Sequence, residues 1–208
     1  MKEYRLYYLP SWMPIVMILA IPVILGFGLV FSVTIDPESM MVMIFAIFVN
    51  AEMFLDYFTF GGIHAKDSNK MDFLITSPKG LDVLKKILMA DGARRFMSGL
   101  CLYLLLIGII SDASYNFMTF CCLVLSLFVS ELFLGLGRFF SSITPLFITC
   151  VASILIFSFV FFLLMEQFNI VILIVIFICY LLTAAFSRYI TLQKGKRCYY
   201  DEISGENN

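Results

Sequence analysis

The sequence predicts an all-α polytopic membrane protein with about six transmembrane helices, both termini in the cytoplasm, and a short amphipathic helix between spans two and three. Of its 208 residues, 62% are hydrophobic, whereas soluble domains are usually about 45–50% apolar. The apolar residues form blocks long enough to cross a bilayer core of roughly 30 Å as helices. A β-barrel would instead show short segments of alternating polarity.

Each predicted span is one continuous apolar block. The third block is short, and we expect its helix to begin earlier, near Asp91. The six blocks are Trp12–Val33, Met40–Phe60, Phe96–Ile110, Phe117–Phe139, Leu146–Met165 and Ile170–Phe186.

The basic residues of the loops predict the orientation. Lys and Arg occur before span one, between spans two and three, after span four and after span six. The other three loops carry acidic residues and no Lys or Arg; these acidic residues are Asp36, Glu38, Asp112 and Glu166. Because short cytoplasmic loops are enriched in Lys and Arg, both termini are predicted to face the cytoplasm in a multi-pass protein of the cell membrane.

The whole chain, 1–208, is predicted to be a single transmembrane domain. Residues 1–10 alternate basic, aromatic and apolar side chains, which favours an interfacial segment ahead of span one. Residues 189–208 are predicted to form a cytoplasmic tail, and its polar part, QKGKRCYYDEISGENN (193–208), is expected to be loosely ordered.

The longest internal polar stretch, 61–90, contains the predicted amphipathic helix, which is expected to run directly into span three. Ser77 and Pro78 fit a turn or a helix start, because proline at the first helical turn loses no hydrogen bond. Lys85 and Lys86 lie opposite an apolar face. The apolar residues at helical spacing are Leu81, Val83, Leu84, Ile87 and Leu88. Two interpretations remain. The segment is either an interfacial helix whose lysines only reflect the enrichment of basic residues on the cytoplasmic side, or a docking helix for a soluble partner.

The stretch DFLITSPKGLDVLKKILMADGARRF resembles the coupling-helix region of type-2, exporter-class ABC transporter permeases. That family has a Leu-Leu-Ser/Thr-x-Pro-like start, then a basic or small residue, an apolar position, and a Lys about seven residues after the proline. The corresponding residues here are Leu74, Thr76, Ser77, Pro78, Lys79, Leu81, Val83 and Lys85 or Lys86. This chain has Ser-Pro-Lys-Gly where the family more often has Leu-Pro-Val-Ser-Arg.

The resemblance implies the permease subunit of an ATP-driven exporter in the bacterial membrane. It would pair with a second permease copy or a sister permease, and a separate ATP-binding cassette subunit would dock on residues 61–90. The residues implied to bind that partner are Leu74, Ser77, Pro78, Lys79, Leu81, Leu84 and Lys85. ATP and Mg are expected in the partner, because this chain has no GxxxxGK[ST] phosphate loop. With a net charge of −1, no nucleic-acid partner is expected.

Several ionisable side chains are predicted to lie inside the membrane, where they are costly and usually face other protein groups. Glu52 and Asp56 are one helical turn apart on span two, and Glu131 is on span four. We expect Glu131 to pair with Arg94, Arg95 or Arg138. Such a network relays movement between helices or simply orients them as a static ion pair; a catalytic dyad is a third interpretation.

The alternatives to an exporter are a small substrate-binding subunit of a vitamin-type importer and a non-transport membrane scaffold. An enzyme is disfavoured, because the single histidine, His64, does not supply a His-Glu-x-x-His site and no base accompanies a serine nucleophile. We therefore expect no catalytic or metal-binding residue. The many Phe and Met residues, 23 and 12, suit amphipathic or hydrophobic cargo such as peptides.

Overall fold

The computed structural model describes residues 37–60, 80–110, 114–137, 143–164 and 169–203. Every one of these stretches forms a long α-helix, and no strand occurs among them. The helices are α1 (Pro37–Phe60), α2 (Gly80–Ile110), α3 (Ser114–Gly137), α4 (Ile143–Leu164) and α5 (Ile170–Ile203). The predicted interfacial segment 1–10 and first span Trp12–Val33 lie outside the described residues.

All five helices are long and apolar enough to cross a membrane. They coincide with predicted spans two to six, so the prediction of long apolar helices, each able to span a membrane, is confirmed for the described part of the chain. The stretches suited to span are Ser39–Asp56, Gly80–Ile109, Tyr115–Gly135, Phe147–Leu164 and Ile170–Gln193.

Helix α3 forms the centre of the bundle and packs against each of the other four described helices. In its apolar stretch 72% of the residues are buried, against 22% in the stretch of α5. The outer faces of α4 and α5 expose large apolar side chains such as Ile148 and Phe186. A helix that is apolar on its outer side suits contact with lipid chains.

Three contacts define the helix directions. Thr119 near the start of α3 donates a hydrogen bond to the sulfur of Met41 near the start of α1, at 3.0 Å. Within α2, Arg94 contacts Glu52, whereas Gly99 lies against Phe48, nearer the start of α1. Helices α1 and α3 therefore run in the same direction, and α2 runs against them.

Helix α5 is longer than the sequence predicts, whereas α2 joins the predicted helical residues 81–88 to span three in one helix. Helix α2 begins at Gly80, ahead of both the predicted span Phe96–Ile110 and the expected start near Asp91. The apolar side chains of its first turns explain this extension, because Leu84, Ile87 and Leu88 are buried and packing stabilises a helix more than propensity does.

Helix α5 continues to Ile203, so the prediction of a loosely ordered stretch from Gln193 was wrong for 193–203. Thr191 is buried, and its hydroxyl bonds back to the carbonyl of Ser187 at 2.8 Å. The extension thus begins as a packed helix, with its first polar side chains satisfied within the helix.

Gly99 permits the close approach of α2 to α1 and α3. A Cβ added there would lie 2.8 Å from Leu123 Cδ1 and 3.5 Å from Phe48 Cζ, whereas one added at Gly108 meets nothing within 4 Å. We expect Gly99→Ala to lower the free energy of unfolding by about 1–3 kcal/mol through overpacking. Gly108→Ala is the matched control and should not destabilise, since alanine favours helix more than glycine does.

Thermal unfolding of both glycine variants in the same detergent measures this difference. Equal midpoints for Gly99→Ala and Gly108→Ala would contradict the packing argument.

Candidate functional site

The candidate site is a cluster of six buried ionisable side chains where α1, α2 and α3 meet, here called the ion network. Each member is at most 4% exposed. Since charged groups in an apolar interior are costly unless paired, their arrangement is the most specific chemical feature of the described structure. The members are Glu52 and Asp56 on α1, Asp91, Arg94 and Arg95 on α2, and Glu131 on α3.

Arg94 forms the stronger half of the ion network. Its Nη1 and Nη2 donate to the two carboxylate oxygens of Glu52 at 3.1 and 2.6 Å, and its Nε donates to Asp91 Oδ1 at 3.1 Å. A bidentate guanidinium–carboxylate pair adds directional hydrogen bonds to charge attraction. This pair fixes α2 to α1.

Arg95 forms the weaker half and connects α2 to α3. Its Nη2 lies 3.0 Å from Asp91 Oδ2 and 3.2 Å from Glu131 Oε1, and its Nη1 lies 3.9 Å from Asp56 Oδ1. Among the described residues, neither Nε nor Nη1 of Arg95 has a hydrogen-bond partner, and Glu131 Oε2 has none either. Ion pairs with incomplete hydrogen bonding stabilise less than fully bonded ones.

The spacing of the charges along each helix explains the arrangement. Asp91, Arg94 and Arg95 are three and four residues apart on α2, so one carboxylate reaches both guanidinium groups. Arg94 and Arg95 are consecutive and therefore point about 100° apart around the helix axis. One arginine thus faces α1 while the other reaches α3.

Of the three partners predicted for Glu131, the structure brings Arg95 to it, whereas Arg138 lies outside the described residues. The carboxylate of Asp91 was not predicted as a network member, although its spacing to the two arginines is a readable signal. Asp91 was missed because span three was expected to begin near it, which put this residue at the end of the apolar block and not inside it.

The residues predicted to bind a partner are only partly described. Leu74, Ser77, Pro78 and Lys79 lie outside the described residues. Leu84 is 1% exposed, so it packs within this chain and does not face outward. Leu81 is half-buried, and Lys85 is exposed.

The outward face of α2 changes character along its length. Its exposed side chains are charged at Asp82, Lys85 and Lys86 and apolar from Met89 onward, through Phe96 and Met97. Since charged side chains avoid hydrocarbon, this face suits lipid contact from Met89 onward and a polar environment before it. The α2 members of the ion network lie after the point at which the exposed face of the helix becomes apolar.

Among the described residues, no group of three or more His, Cys, Asp or Glu side chains is arranged to hold a metal ion. The carboxylates of the ion network face guanidinium groups instead. Comparisons with protein-family models, with curated proteins and with solved structures found no match for this chain. Its functional interpretation therefore depends on the residues and their geometry.

Helix α2 connects an exposed charged surface to the buried ion network. One continuous helix carries exposed lysines at one end and two buried arginines near its middle, and these arginines contact carboxylates of two neighbouring helices. The exposed end and the ion network are thus joined by one unbroken helix.

Proposed function

We propose that the chain is the transmembrane permease subunit of an ATP-driven ABC exporter. It moves amphipathic or hydrophobic cargo, such as peptides, out of a bacterial cell. Its termini lie in the cytoplasm, and it works with a second permease copy or a sister permease. A separate ATP-binding cassette subunit binds ATP and Mg and docks on the first turns of α2.

The observation that supports this proposal most is the continuity of α2. The helix runs without a break from exposed Lys85 to buried Arg95, a distance of about 15 Å at 1.5 Å per residue. A soluble partner that binds the exposed end of such a rigid helix can move the transmembrane helices to which the helix is joined. The resemblance of residues 72–96 to a coupling-helix region supports the same function.

The two halves of the ion network would respond differently to such a movement. The bidentate Arg94–Glu52 pair keeps α1 with α2, whereas the Arg95–Glu131 contact has fewer hydrogen bonds. A push on α2 would therefore separate α3 from α2 before it separates α1. The Arg95–Glu131 contact is therefore the one that would open when the bundle changes between two arrangements.

The alternative functions make different use of the same helix. A vitamin-type importer subunit or a membrane scaffold has no need for an outward charged face joined rigidly to the ion network. The two lysines on that face thus provide the discriminating test.

The experiment compares the charge-reversed variant Lys85→Glu/Lys86→Glu with a control variant that adds negative charge at the exposed start of α5. Asn169 is exposed, and its side chain caps α5 by accepting a hydrogen bond from the Ile172 amide at 3.0 Å. Asn169→Asp adds one negative charge there and retains a good cap. The tagged chain and its variants are purified gently from the native membrane, and co-purifying proteins and ATPase activity are measured.

We expect the wild type and Asn169→Asp to retain a stoichiometric ATP-binding subunit with ATPase activity. The lysine variant should lose at least tenfold of that partner, which corresponds to about 1.4 kcal/mol of binding free energy. A wild-type chain that purifies without any ATP-binding subunit would contradict the exporter proposal and favour the scaffold. If the wild type and both variants retain equal amounts of the ATP-binding subunit, Lys85 and Lys86 do not contribute to docking.

A further inference from the structure

Ser98 of α2 is a completely buried serine whose hydroxyl has no hydrogen-bond partner among the described residues. Three other buried serines, Ser126, Ser130 and Ser153, each donate to the carbonyl three residues earlier in their own helix, at 2.8–2.9 Å. The corresponding bond, to the carbonyl of Arg95, is available to Ser98 because this residue lies inside α2. The Ser98 hydroxyl does not make it, so it points away from its own backbone.

The Arg95–Glu131 contact contains two further unpaired atoms. Nη2 of Arg95 lies 3.2 Å from Oε1 of Glu131, whereas Nε of Arg95 and Oε2 of Glu131 have no hydrogen-bond partner within the described part of the chain. Both residues are 2% exposed, so bulk solvent does not reach them. A buried donor and a buried acceptor therefore lie beside one short contact, and each is costly if it stays unpaired.

Helix geometry brings the Ser98 hydroxyl to the same place. Ser98 and Arg95 are three residues apart, so they are neighbours on the surface of α2, with Cβ atoms about 5–6 Å apart. Side chains on a helix lean toward its N-terminus, which directs Ser98 toward the turn that carries Arg95. Nε is the guanidinium nitrogen closest to the backbone. One water can join this nitrogen to the hydroxyl, since two hydrogen bonds of about 2.8 Å span up to about 5.6 Å.

The three unpaired groups differ in what they require from an occupant. Nε only donates, Oε2 accepts, and the hydroxyl does either. A metal cation accepts no hydrogen bond from Nε, and a simple anion donates none to Oε2. Water does both, and internal waters typically make about three hydrogen bonds to otherwise unpaired groups. Because the surrounding residues Arg95, Ser98 and Glu131 are at most 2% exposed, a larger polar ligand has no route to the site.

We propose that one internal water molecule binds between α2 and α3, accepting a hydrogen bond from Arg95 Nε and bonding to Glu131 Oε2 and the Ser98 hydroxyl. It adds an indirect connection beside the direct Arg95–Glu131 contact, and water-mediated hydrogen bonds are nearly as favourable as direct ones. This inference goes beyond the proposed function, because it applies equally to an exporter, an importer subunit or a scaffold.

Magic-angle-spinning NMR tests the proposal on the full-length chain, uniformly labelled with ¹³C and ¹⁵N and reconstituted in lipid bilayers. Magnetisation is transferred from water protons to the arginine Nε atoms. Arg94 Nε is the matched control, because it is similarly buried on the same helix but donates directly to Asp91 Oδ1 at 3.1 Å. We expect the Arg95 Nε signal to build up at least about threefold faster than the Arg94 Nε signal, because water contacts only the former.

Ser98→Ala tests the third partner of the water, with Ser126→Ala as the control because the Ser126 hydroxyl bonds to its own helix. Ser98→Ala should reduce the water transfer to Arg95 Nε by about half or more and lower the midpoint of thermal unfolding by about 2–4 °C. A hydroxyl that had no partner at all would give the opposite sign, since its removal relieves an unpaired buried group. Ser126→Ala should leave the transfer to Arg95 Nε unchanged.

Three results would overturn the proposal. The two arginine signals could build up at equal rates, Ser98→Ala could leave the transfer to Arg95 Nε unchanged, or Ser98→Ala could raise the unfolding midpoint. If Ser98→Ala does not fold, the comparison of Arg95 with Arg94 in the wild type still decides. Partner recovery does not enter these measurements, so their failure is distinct from failure of the proposed function.

Discussion

An Arg94→Ala variant is expected to lose about 3–5 kcal/mol of unfolding free energy, because it leaves the buried carboxylate of Glu52 without its bidentate partner and removes one of the two arginines that contact Asp91. Arg94 makes three hydrogen bonds, two to Glu52 and one to Asp91. Neither carboxylate is more than 2% exposed, so water cannot replace the lost partner. Thermal unfolding in detergent, followed by fluorescence-detected size exclusion, measures the change.

Two further variants show whether this loss comes from the uncompensated charge. Lys85→Ala removes an exposed cation from the same helix and should leave the unfolding midpoint unchanged. Arg94→Met/Glu52→Met removes both members of the strongest pair, and it should be less damaging than Arg94→Ala because only Asp91 then loses a partner. An Arg94→Ala variant as stable as Lys85→Ala would show that the ion network contributes little to the fold.

Breaking the continuity of α2 with Met89→Pro is expected to separate the docking end from the ion network. Proline at this position removes the amide that bonds to the carbonyl of Lys85, and its ring clashes with that carbonyl, at a cost of about 3 kcal/mol or more. The Met89 side chain is 55% exposed, so the substitution removes little core packing. We expect the ATP-binding subunit to remain associated while its ATPase activity no longer responds to cargo or to the permease.

Met89→Ala is the matched control, because it truncates the same side chain and keeps the helix intact. Its ATPase activity should equal that of the wild type. A Met89→Pro variant that still stimulates ATPase activity would mean that force does not pass along α2. The mechanical part of the proposed function would then fail even if the partner binds.

Most of the helices could be predicted from the sequence, because hydrophobicity along 20 consecutive residues is a local property. Spans two to six were identified in this way, and α1, α3 and α4 correspond to them closely. Helices α2 and α5 both extend well beyond their apolar blocks; the amphipathic start of α2 was predicted as a helix, whereas the helical end of α5 was not. Those extensions are amphipathic or polar, and burial of residues such as Leu84 and Thr191 depends on neighbours that are distant in sequence.

The candidate site was predictable only in part, for a related reason. Ionisable residues inside an apolar block are conspicuous, so Glu52, Asp56 and Glu131 could be identified by their cost in the membrane. Their pairing depends on the rotation and depth of each helix, which the sequence does not specify.

By itself, the sequence determined that the chain is helical and membrane-embedded, since long apolar blocks leave the backbone few alternatives in lipid. It also determined which charges must find partners within the protein. Only the tertiary structure decided that Arg94 pairs with Glu52 and that Arg95 reaches Glu131. The physical reason is that hydropathy can be summed along a single helix. An ion pair between helices forms only when the rotation, depth and direction of both helices bring the two side chains together.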